Sequence, residues 1–285
     1  MMILKSMPVV VTTKSPENLH VVNWPTPKVL AFSTTRFPPK DKKSLDNLDS
    51  IKICEADVGE RSTEFDFFNL GAHVGDNPIS VEYNRNTLLN YLPNDSKIQW
   101  LEQVHGNHVT YVDRHNITPI VADAAITREK KLALAIMTAD CLPILLADIN
   151  GNEIAAVHAG WRPLAANIIK ATIDKMKTPA SDIVAWFGPC IGAGAFEVGS
   201  EVKETFINSS IEFSAAFTSL NTDNSIENPI KFSADLVMIA KLQLKELGIE
   251  NISITNACTF TQSSKYYSYR KDGKTGRMAS VIALT

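Results

Sequence analysis

Three segments of the chain carry apolar residues at helical spacing. Pro163 suits the first turn of the second segment, because its fixed φ and missing N–H are tolerated there. Ser233 and Gly248 bracket the third segment as its N-cap and as the residue just past its end. The pattern predicts helices over residues 80–92, 162–177 and 233–248.

Other apolar runs alternate with polar residues or stand between turn residues, which is typical of strands. They predict strands over residues 7–13, 28–36 and 98–113, the last with a bulge at Gly106. They also predict a β-hairpin over residues 266–284 that turns at Asp272-Gly273. Residues 37–64 are polar and lack periodicity, which indicates a long surface loop. Because strands and helices mix without strict βαβ alternation, we expect an α+β fold with mixed sheets, in one domain over residues 1–285.

The dipeptide Asn150-Gly151 between two apolar runs is the strongest short signal for a hairpin. A two-residue loop there pairs Pro143 with His158 and places Cys141 opposite Gly160. Cys141 and His158 then share one face of the ladder, with backbones about 7–8 Å apart. Both side chains can therefore reach one metal ion. A three-residue loop would shift the pairing by one residue and place the two side chains on opposite faces.

A third ligand is available from "QVHGNHV". His105 and His108 both qualify, because a strand sends them to opposite faces unless Gly106 forms a bulge. A Cys/His/His set with an open fourth position is typical of catalytic zinc, which acidifies bound water toward pH ~7. Asp140 or Gln103 can orient a ligand or water from outside this set. The alternative is that the cysteine and histidine of the hairpin are ordinary core residues.

Several arginines are candidates for binding an anion. The stretch "HAGWRP" places Arg162 at the start of a predicted helix, where the helix end and the guanidinium both favour an anion. The alternative is a surface arginine beside a core Trp161. Arg36 stands at a strand end, while Arg270 and Arg277 are typical of a solvated hairpin.

Composition and charge indicate which partners and which compartment to expect. The chain of 285 residues has a formal net charge of −3 and a pI near 6.1, so nothing indicates a nucleic-acid partner. The first residues lack signal-peptide features and no segment reaches membrane-spanning length, which predicts a cytoplasmic protein without a membrane partner. Its four cysteines form no CxxC pair, and we expect no disulfides.

Seven stretches occur together in one order along the chain: "NLGAHVGD", "QVHG", "DAAIT", "MTADCLPILLAD", "AAVHAGWRP", "GPCIGAGAFEVG" and "TGRMASVIAL". They resemble the YfiH-like family, also labelled laccase-domain or polyphenol oxidase and described as purine nucleoside phosphorylases. The resemblance extends over residues 30–285, and "TADCLP" with "HAGWR" is its most specific part. The family's metal ligands map onto His105, Cys141 and His158, so the resemblance implies a zinc site formed by these residues.

The resemblance implies mixed sheets in layers, flanked by helices. It also implies phosphorolysis of adenosine, inosine and S-methyl-5'-thioadenosine, with adenosine deamination as a side activity. The partners are then purine nucleosides and phosphate, with the protein a monomer or homodimer. Phosphorolysis needs an anion held beside the ribose, for which Arg36 and Arg162 are the candidates. Asp140, Gln103 and Asn69 are the candidates for catalytic roles.

Three other functions remain open. An amidase that edits muramyl-peptide precursors would use Cys141 as nucleophile and His158 as base, or a metal-activated water. A copper polyphenol oxidase needs many histidine ligands, and only six histidines are present. Copper also suits the single site, because it outcompetes zinc at most nitrogen and sulfur ligands. A non-catalytic metal site would need a fourth protein ligand, for which Cys190 is the candidate.

Overall fold

The computed structural model describes residues 16–26, 28–40, 65–220 and 230–285. The predicted strand over 7–13 and residues 41–64 of the predicted surface loop lie outside these ranges. The strands, in chain order, are β1 (Leu19–Val21), β2 (Val29–Thr34), β3 (Lys97–Gln99), β4 (Leu101–Glu102), β5 (Val109–Tyr111), β6 (Ile120–Val121), β7 (Ala124–Thr127), β8 (Leu132–Thr138), β9 (Leu142–Asp148), β10 (Ile154–Ala159), β11 (Ile183–Phe187), β12 (Glu197–Gly199), β13 (Phe217–Ser219), β14 (Lys231–Ala234), β15 (Ile252–Ile254) and β16 (Met278–Leu284).

Two large mixed sheets form the centre of the fold. The five-stranded sheet has the order β1-β2-β16-β8-β3 and is parallel only between β3 and β8. The six-stranded sheet has the order β15-β11-β9-β10-β7-β5 and is parallel at its two edges. Two smaller sheets, β12-β14-β13 and β4-β6, stand beside them.

The central strands β8, β9, β10 and β16 are buried at every position. Continuous apolar runs such as "LALAIMT" are typical of strands that are covered on both faces. Strand β10 packs against β8 and β16, so the two large sheets stack face to face. Leu145 and Ala156 of one sheet meet Leu134 and Ile282 of the other in the core between them.

Helices cover the outer faces of this pair of sheets. They are α1 (Pro78–Leu89), α2 (Trp161–Ala165), α3 (Ile168–Lys175), α4 (Ser200–Ile207), α5 (Leu236–Glu246) and α6 (Tyr269–Asp272). Ile169 of α3 and Ile239 of α5 pack on the six-stranded sheet, and Leu88 of α1 packs on the five-stranded sheet. The expected α+β fold of layered mixed sheets flanked by helices is confirmed. Among the described residues, no helix has the length and apolarity needed to cross a membrane.

The three predicted helices form with different ends. The first begins at Pro78, because the Asn77 side chain accepts the Ile79 N–H as N-cap. The second divides into α2 and α3 at Asn167, whose left-handed φ of 60° interrupts the helix. The third is capped by Asp235, which accepts the Met238 N–H, whereas Ser233 lies within β14.

Two strand predictions are wrong. The segment 98–113 is not one strand, since β3, β4 and β5 are separated by short breaks and by a loop that contains Gly106. The predicted hairpin over 266–284 does not form, because Ser268 caps the short helix α6 by accepting the Lys271 N–H. Only β16 is a strand there, and it pairs with the distant β2 and β8.

Candidate active site

The hairpin register that was predicted from Asn150-Gly151 is confirmed, because His158 pairs with Pro143. The turn itself differs from the prediction. Asp148 pairs with Glu153 through its N–H, so the loop has four residues and keeps the parity of a two-residue loop. The Asp148 carboxylate accepts the N–H groups of Asn150 and Asn152 and thereby closes the loop.

Three side chains from separate segments meet at one end of β9 and β10. Potential ligand atoms of His105, Cys141 and His158 all lie within 4.8 Å of one another, and the Cys141 Sγ is 4.0 Å from the His105 Nε2. His108 points elsewhere, with its Nδ1 2.8 Å from the Val121 carbonyl oxygen. Among the described residues, no fourth His, Cys, Asp or Glu joins this group. Cys190, the candidate fourth ligand, lies instead in the hydrophobic core.

The buried carboxylate of Asp123 holds both histidines. Its Oδ1 accepts the His105 N–H at 2.9 Å and lies 2.8 Å from the His158 Nδ1. Its Oδ2 accepts the Gly106 N–H at 2.7 Å. These bonds fix the loop in which His105 adopts a left-handed φ of 60°. Sequence reasoning missed this role of Asp123, although the residue opens the "DAAIT" stretch.

Gly160 leaves room for the thiol. A Cβ atom on residue 160 would stand 2.8 Å from the Cys141 Sγ and 3.7 Å from the His105 Cδ2. The first distance is too short for two non-bonded heavy atoms, so any larger residue would displace the thiol. The register predicted this proximity, since it places Cys141 and Gly160 opposite each other.

The charges of Cys141 and His158 are coupled. Burial opposes ionisation of the Cys141 thiol, but His158 and His105 outweigh it and lower the pKa of the thiol to about 6. Burial also disfavours a charged His158, but Cys141 and Asp123 outweigh it and raise the pKa of that imidazole to about 9. Each of the two side chains therefore favours the charged form of the other.

The three donors fit a zinc ion. Tetrahedral zinc with bonds of 2.0–2.3 Å needs ligand atoms about 3.3–3.7 Å apart. The Cys141 Sγ and the His105 Nε2 are 4.0 Å apart and all three ligand atoms lie within 4.8 Å of one another, so the side chains would draw slightly closer around the ion. Asp123 occupies the Nδ1 of His158 and leaves its Nε2 for a metal, an arrangement typical of metal-binding histidines. Two nitrogens and one sulfur suit zinc and also copper, and three protein ligands leave one position for a reactant.

A cavity of about 450 Å³ opens at this group. Its lining combines the three side chains with arginines and aromatic rings: Arg162, Arg270, Arg277, Trp161, Phe196 and Tyr269. Volumes of this order are typical of small-molecule sites. The prediction of a hairpin at Arg270 and Arg277 is wrong, because the segment folds as α6 followed by β16 along the cavity. Arg270 is exposed, as predicted, whereas Arg277 is half-buried.

Arg36 does not line the cavity, unlike Arg162. Its Nη1 donates to the Ser263 carbonyl oxygen, and its guanidinium stacks against the rings of Phe67 and Tyr267. The position of Arg36 therefore does not support a role in phosphate binding.

The three candidates for catalytic roles are all tied to the backbone. Gln103 lines the cavity, but its amide bonds both the N–H and the carbonyl of Met137, at 2.8 Å each. Asp140 also lines the cavity, and its two oxygens accept from Thr259 and from the Arg270 N–H. Asn69 is fully buried outside the cavity lining.

Comparisons with known proteins agree on one family. Residues 53–285 match the family described as multi-copper polyphenol oxidoreductase laccase. The protein named purine nucleoside phosphorylase YfiH from Shigella flexneri is 40% identical over 267 residues, which cover 93% of this chain and 98% of that protein. The protein of the same name from Escherichia coli K12 is 39% identical with the same coverage.

Solved structures give the same result. The structure of a Neisseria meningitidis protein of the DUF152 family matches with a TM-score of 0.79 and 36% identity, covering 94% of this chain and 99% of that one. The Bacillus licheniformis protein YfiH matches with a TM-score of 0.75 and 25% identity, covering 90% and 93%. The chain therefore belongs to the multi-copper polyphenol oxidoreductase laccase family, together with these YfiH and DUF152 proteins.

Proposed function

We propose that the protein is a cytoplasmic, zinc-dependent purine nucleoside phosphorylase. Its substrates are adenosine, inosine and S-methyl-5'-thioadenosine, and phosphate is the co-substrate. The names of relatives at 39% and 40% identity support the activity. The fit of His105, Cys141 and His158 to zinc supports the cofactor.

The observation that carries the proposal is the charge of the cavity. Arg162, Arg270 and Arg277 all line it, and Asp140, the carboxylate that also lines it, has both oxygens engaged by Thr259 and Arg270. The surplus of positive charge suits a phosphate dianion, which guanidinium groups bind through paired N–H donors. The same lining offers the rings of Trp161, Phe196 and Tyr269, whose apolar faces suit a purine.

In the reaction, a phosphate oxygen forms a bond to C1' of the ribose while the glycosidic bond breaks. The bonding electrons leave with the purine, which takes up a proton, and the products are free base and a ribose 1-phosphate. The arginines contribute by holding the anion beside C1' and by neutralising its charge. A zinc ion held by His105, Cys141 and His158 would supply Lewis-acid chemistry at this end of the cavity. In the proposed side reaction, water replaces the C6 amine of adenosine and ammonia leaves.

A second candidate is the amidase that edits muramyl-peptide precursors. The observation in its favour is that Cys141, His158 and Asp123 are arranged as nucleophile, base and orienting carboxylate. The cysteine-dependent form of this chemistry needs a free thiolate, so zinc would inhibit it, whereas the form that uses a metal-activated water would need the metal. Copper polyphenol oxidase is less favoured, because the three-residue group is the one His/Cys cluster that the described residues form.

The test compares adenosine turnover with and without phosphate, using protein loaded with one equivalent of zinc. We expect adenine and ribose 1-phosphate only when phosphate is present, and loss of both in Cys141→Ala. Unchanged adenosine in both samples, with zinc still bound, would reject the proposal. Hydrolysis of a muramyl peptide that increases after chelation would favour the amidase instead.

A further inference from the structure

Asp140 holds an arginine of the cavity through the backbone. Its Oδ2 accepts the Arg270 N–H at 2.6 Å, and its Oδ1 accepts the Thr259 hydroxyl at 2.6 Å. The residue is buried and has a φ of 99°, which is unfavourable for any side chain with a Cβ. The two hydrogen bonds that the carboxylate accepts hold this strained backbone in place, with the Arg270 N–H as one of the two donors.

Asn69 holds a second arginine in the same way. Its Oδ1 accepts the N–H groups of Arg277 and Gly71, each at 2.9 Å. Its Nδ2 donates to the Asp76 carboxylate at 2.9 Å, which fixes the orientation of the amide. The Arg277 stem lies close against Gly71, where a Cβ would stand 2.8 Å from the Arg277 Cγ.

Both guanidinium groups keep donors for a ligand. Arg270 Nη1 donates to the Glu197 carbonyl oxygen at 2.9 Å, and Arg277 Nη1 donates to the carbonyls of Thr275 and Gly276. Each guanidinium carries five N–H donors. The carbonyl contacts fix the orientation of the two groups, and the remaining donors are available in the cavity that both residues line.

We propose that Arg270 and Arg277 are the two residues of the cavity that bind phosphate. Asp140 and Asn69 are positioning residues, which hold the backbone of Arg270 and of Arg277 in place. The inference rests on the proposed function, because it takes phosphate as the anion. It assigns Asp140 and Asn69 to positioning, since every polar atom of the carboxylate and of the amide already has a partner in the protein. Asp140 also directly precedes Cys141, so one residue fixes both a metal ligand and a phosphate ligand.

The test measures binding of inorganic phosphate to zinc-loaded protein by ³¹P NMR titration, without nucleoside. We expect Arg270→Ala and Arg277→Ala each to weaken phosphate binding about 10-fold or more, as for a lost charge-assisted hydrogen bond. The KM for adenosine should change much less than the KM for phosphate. Arg270→Lys should restore part of the affinity, because it keeps the charge and loses the planar fork. Arg114→Ala, at an exposed arginine outside the cavity, is the control.

A double-mutant cycle tests the positioning role. Asp140→Asn should weaken phosphate binding in the wild-type background but add little to Arg270→Ala, because it acts through Arg270. Thr259→Val, which keeps the shape and removes the hydroxyl, should give a smaller loss in the same direction. Asp148→Asn is the matched control, since this buried carboxylate also accepts backbone N–H groups, at the hairpin loop. Zinc content and melting temperature identify variants that have lost the fold.

Phosphate affinity unchanged within twofold in both arginine variants would overturn the inference. So would an equal loss from Asp140→Asn in both backgrounds, since the residue would then act independently of Arg270. These outcomes differ from a failure of the proposed function. If wild-type protein binds phosphate through the two arginines but releases no ribose 1-phosphate, the phosphorylase activity is rejected. The inference that the two arginines bind an anion is then still supported.

Discussion

Gly160 and Cys141 lie side by side across the hairpin, so close that a Cβ on residue 160 would stand 2.8 Å from the Cys141 Sγ. The thiol can occupy the position between His105 and His158 because residue 160 has no side chain. The grouping of the three proposed metal ligands therefore depends on a glycine that contributes no ligand atom.

Gly160→Ala should abolish or strongly weaken zinc binding while the sheets remain folded, because the added methyl displaces the Cys141 thiol. Zinc content by mass spectrometry of the native protein, with circular dichroism for the fold, measures the effect. Gly194→Ala is the control, since a Cβ at that position meets nothing within 4 Å. A Gly160→Ala protein with a full equivalent of zinc would show that Cys141 is not placed as described.

Asp123→Asn should weaken zinc binding by about 10–100-fold, the usual cost of losing a carboxylate that orients a metal-binding histidine. An asparagine retains the size of the side chain, but its single carbonyl oxygen cannot replace both carboxylate oxygens, which together accept from His105, His158 and Gly106. The substitution also removes the negative charge that faces His158. Competition with a zinc-binding dye gives the affinity. If Asp123→Asn and the control Asp148→Asn bound zinc equally well, the orienting role of Asp123 would be wrong.

The metal-free protein should show an unusually acidic thiol. Because the pKa of Cys141 is lowered from its ordinary value of 9.0 to about 6, the thiolate should predominate above pH 6 and disappear below it. The rate of iodoacetamide modification at Cys141, followed by peptide mass spectrometry, should therefore be half-maximal near pH 6. His158→Ala should move this midpoint upward, since it removes the main positive partner. A wild-type midpoint near 9 would contradict the coupling of the two residues.

Arg36→Ala should lower stability without changing phosphate affinity. Arg36 stacks on Phe67 and Tyr267 and lies outside the cavity lining, so we expect a loss of about 1 kcal/mol in the free energy of unfolding. Urea denaturation measures the stability, and the KM for phosphate measures the affinity. A KM for phosphate raised about 10-fold, as for a lost charged hydrogen bond, would show that Arg36 does bind phosphate.

The sequence allowed the grouping of Cys141 with His158 to be predicted because the hairpin is local, whereas the choice of His105 over His108 came from the family resemblance. Asn150-Gly151 set the register, and any loop with an even number of residues brings Cys141 and His158 to one face. The actual four-residue loop therefore changed nothing at the site. Asp123 was missed because it is 18 residues from His105 and 35 from His158, and only the pairing of β7 with β10 brings it there.

Arg162 was predicted as an anion-binding candidate and lines the cavity, but the positions of Arg270 and Arg277 there were missed for a related reason. The alternation after Tyr266 is typical of a hairpin, and no local pattern shows that Ser268 caps a helix while β16 inserts between two distant strands. The positions of Arg270 and Arg277 follow from those non-local contacts. Arg36 was overestimated, since a strand end indicates nothing about which cavity a side chain reaches.

Zinc-dependent phosphorolysis is tested most directly by titrating metal-free protein with zinc in the presence of adenosine and phosphate, and by following ribose 1-phosphate by ³¹P NMR. We expect the rate to rise linearly up to one equivalent of zinc and then to stay constant, with one phosphate consumed per adenine released. Product formation without zinc, a rate that falls as zinc is added, or adenine release without ribose 1-phosphate would contradict zinc-dependent phosphorolysis.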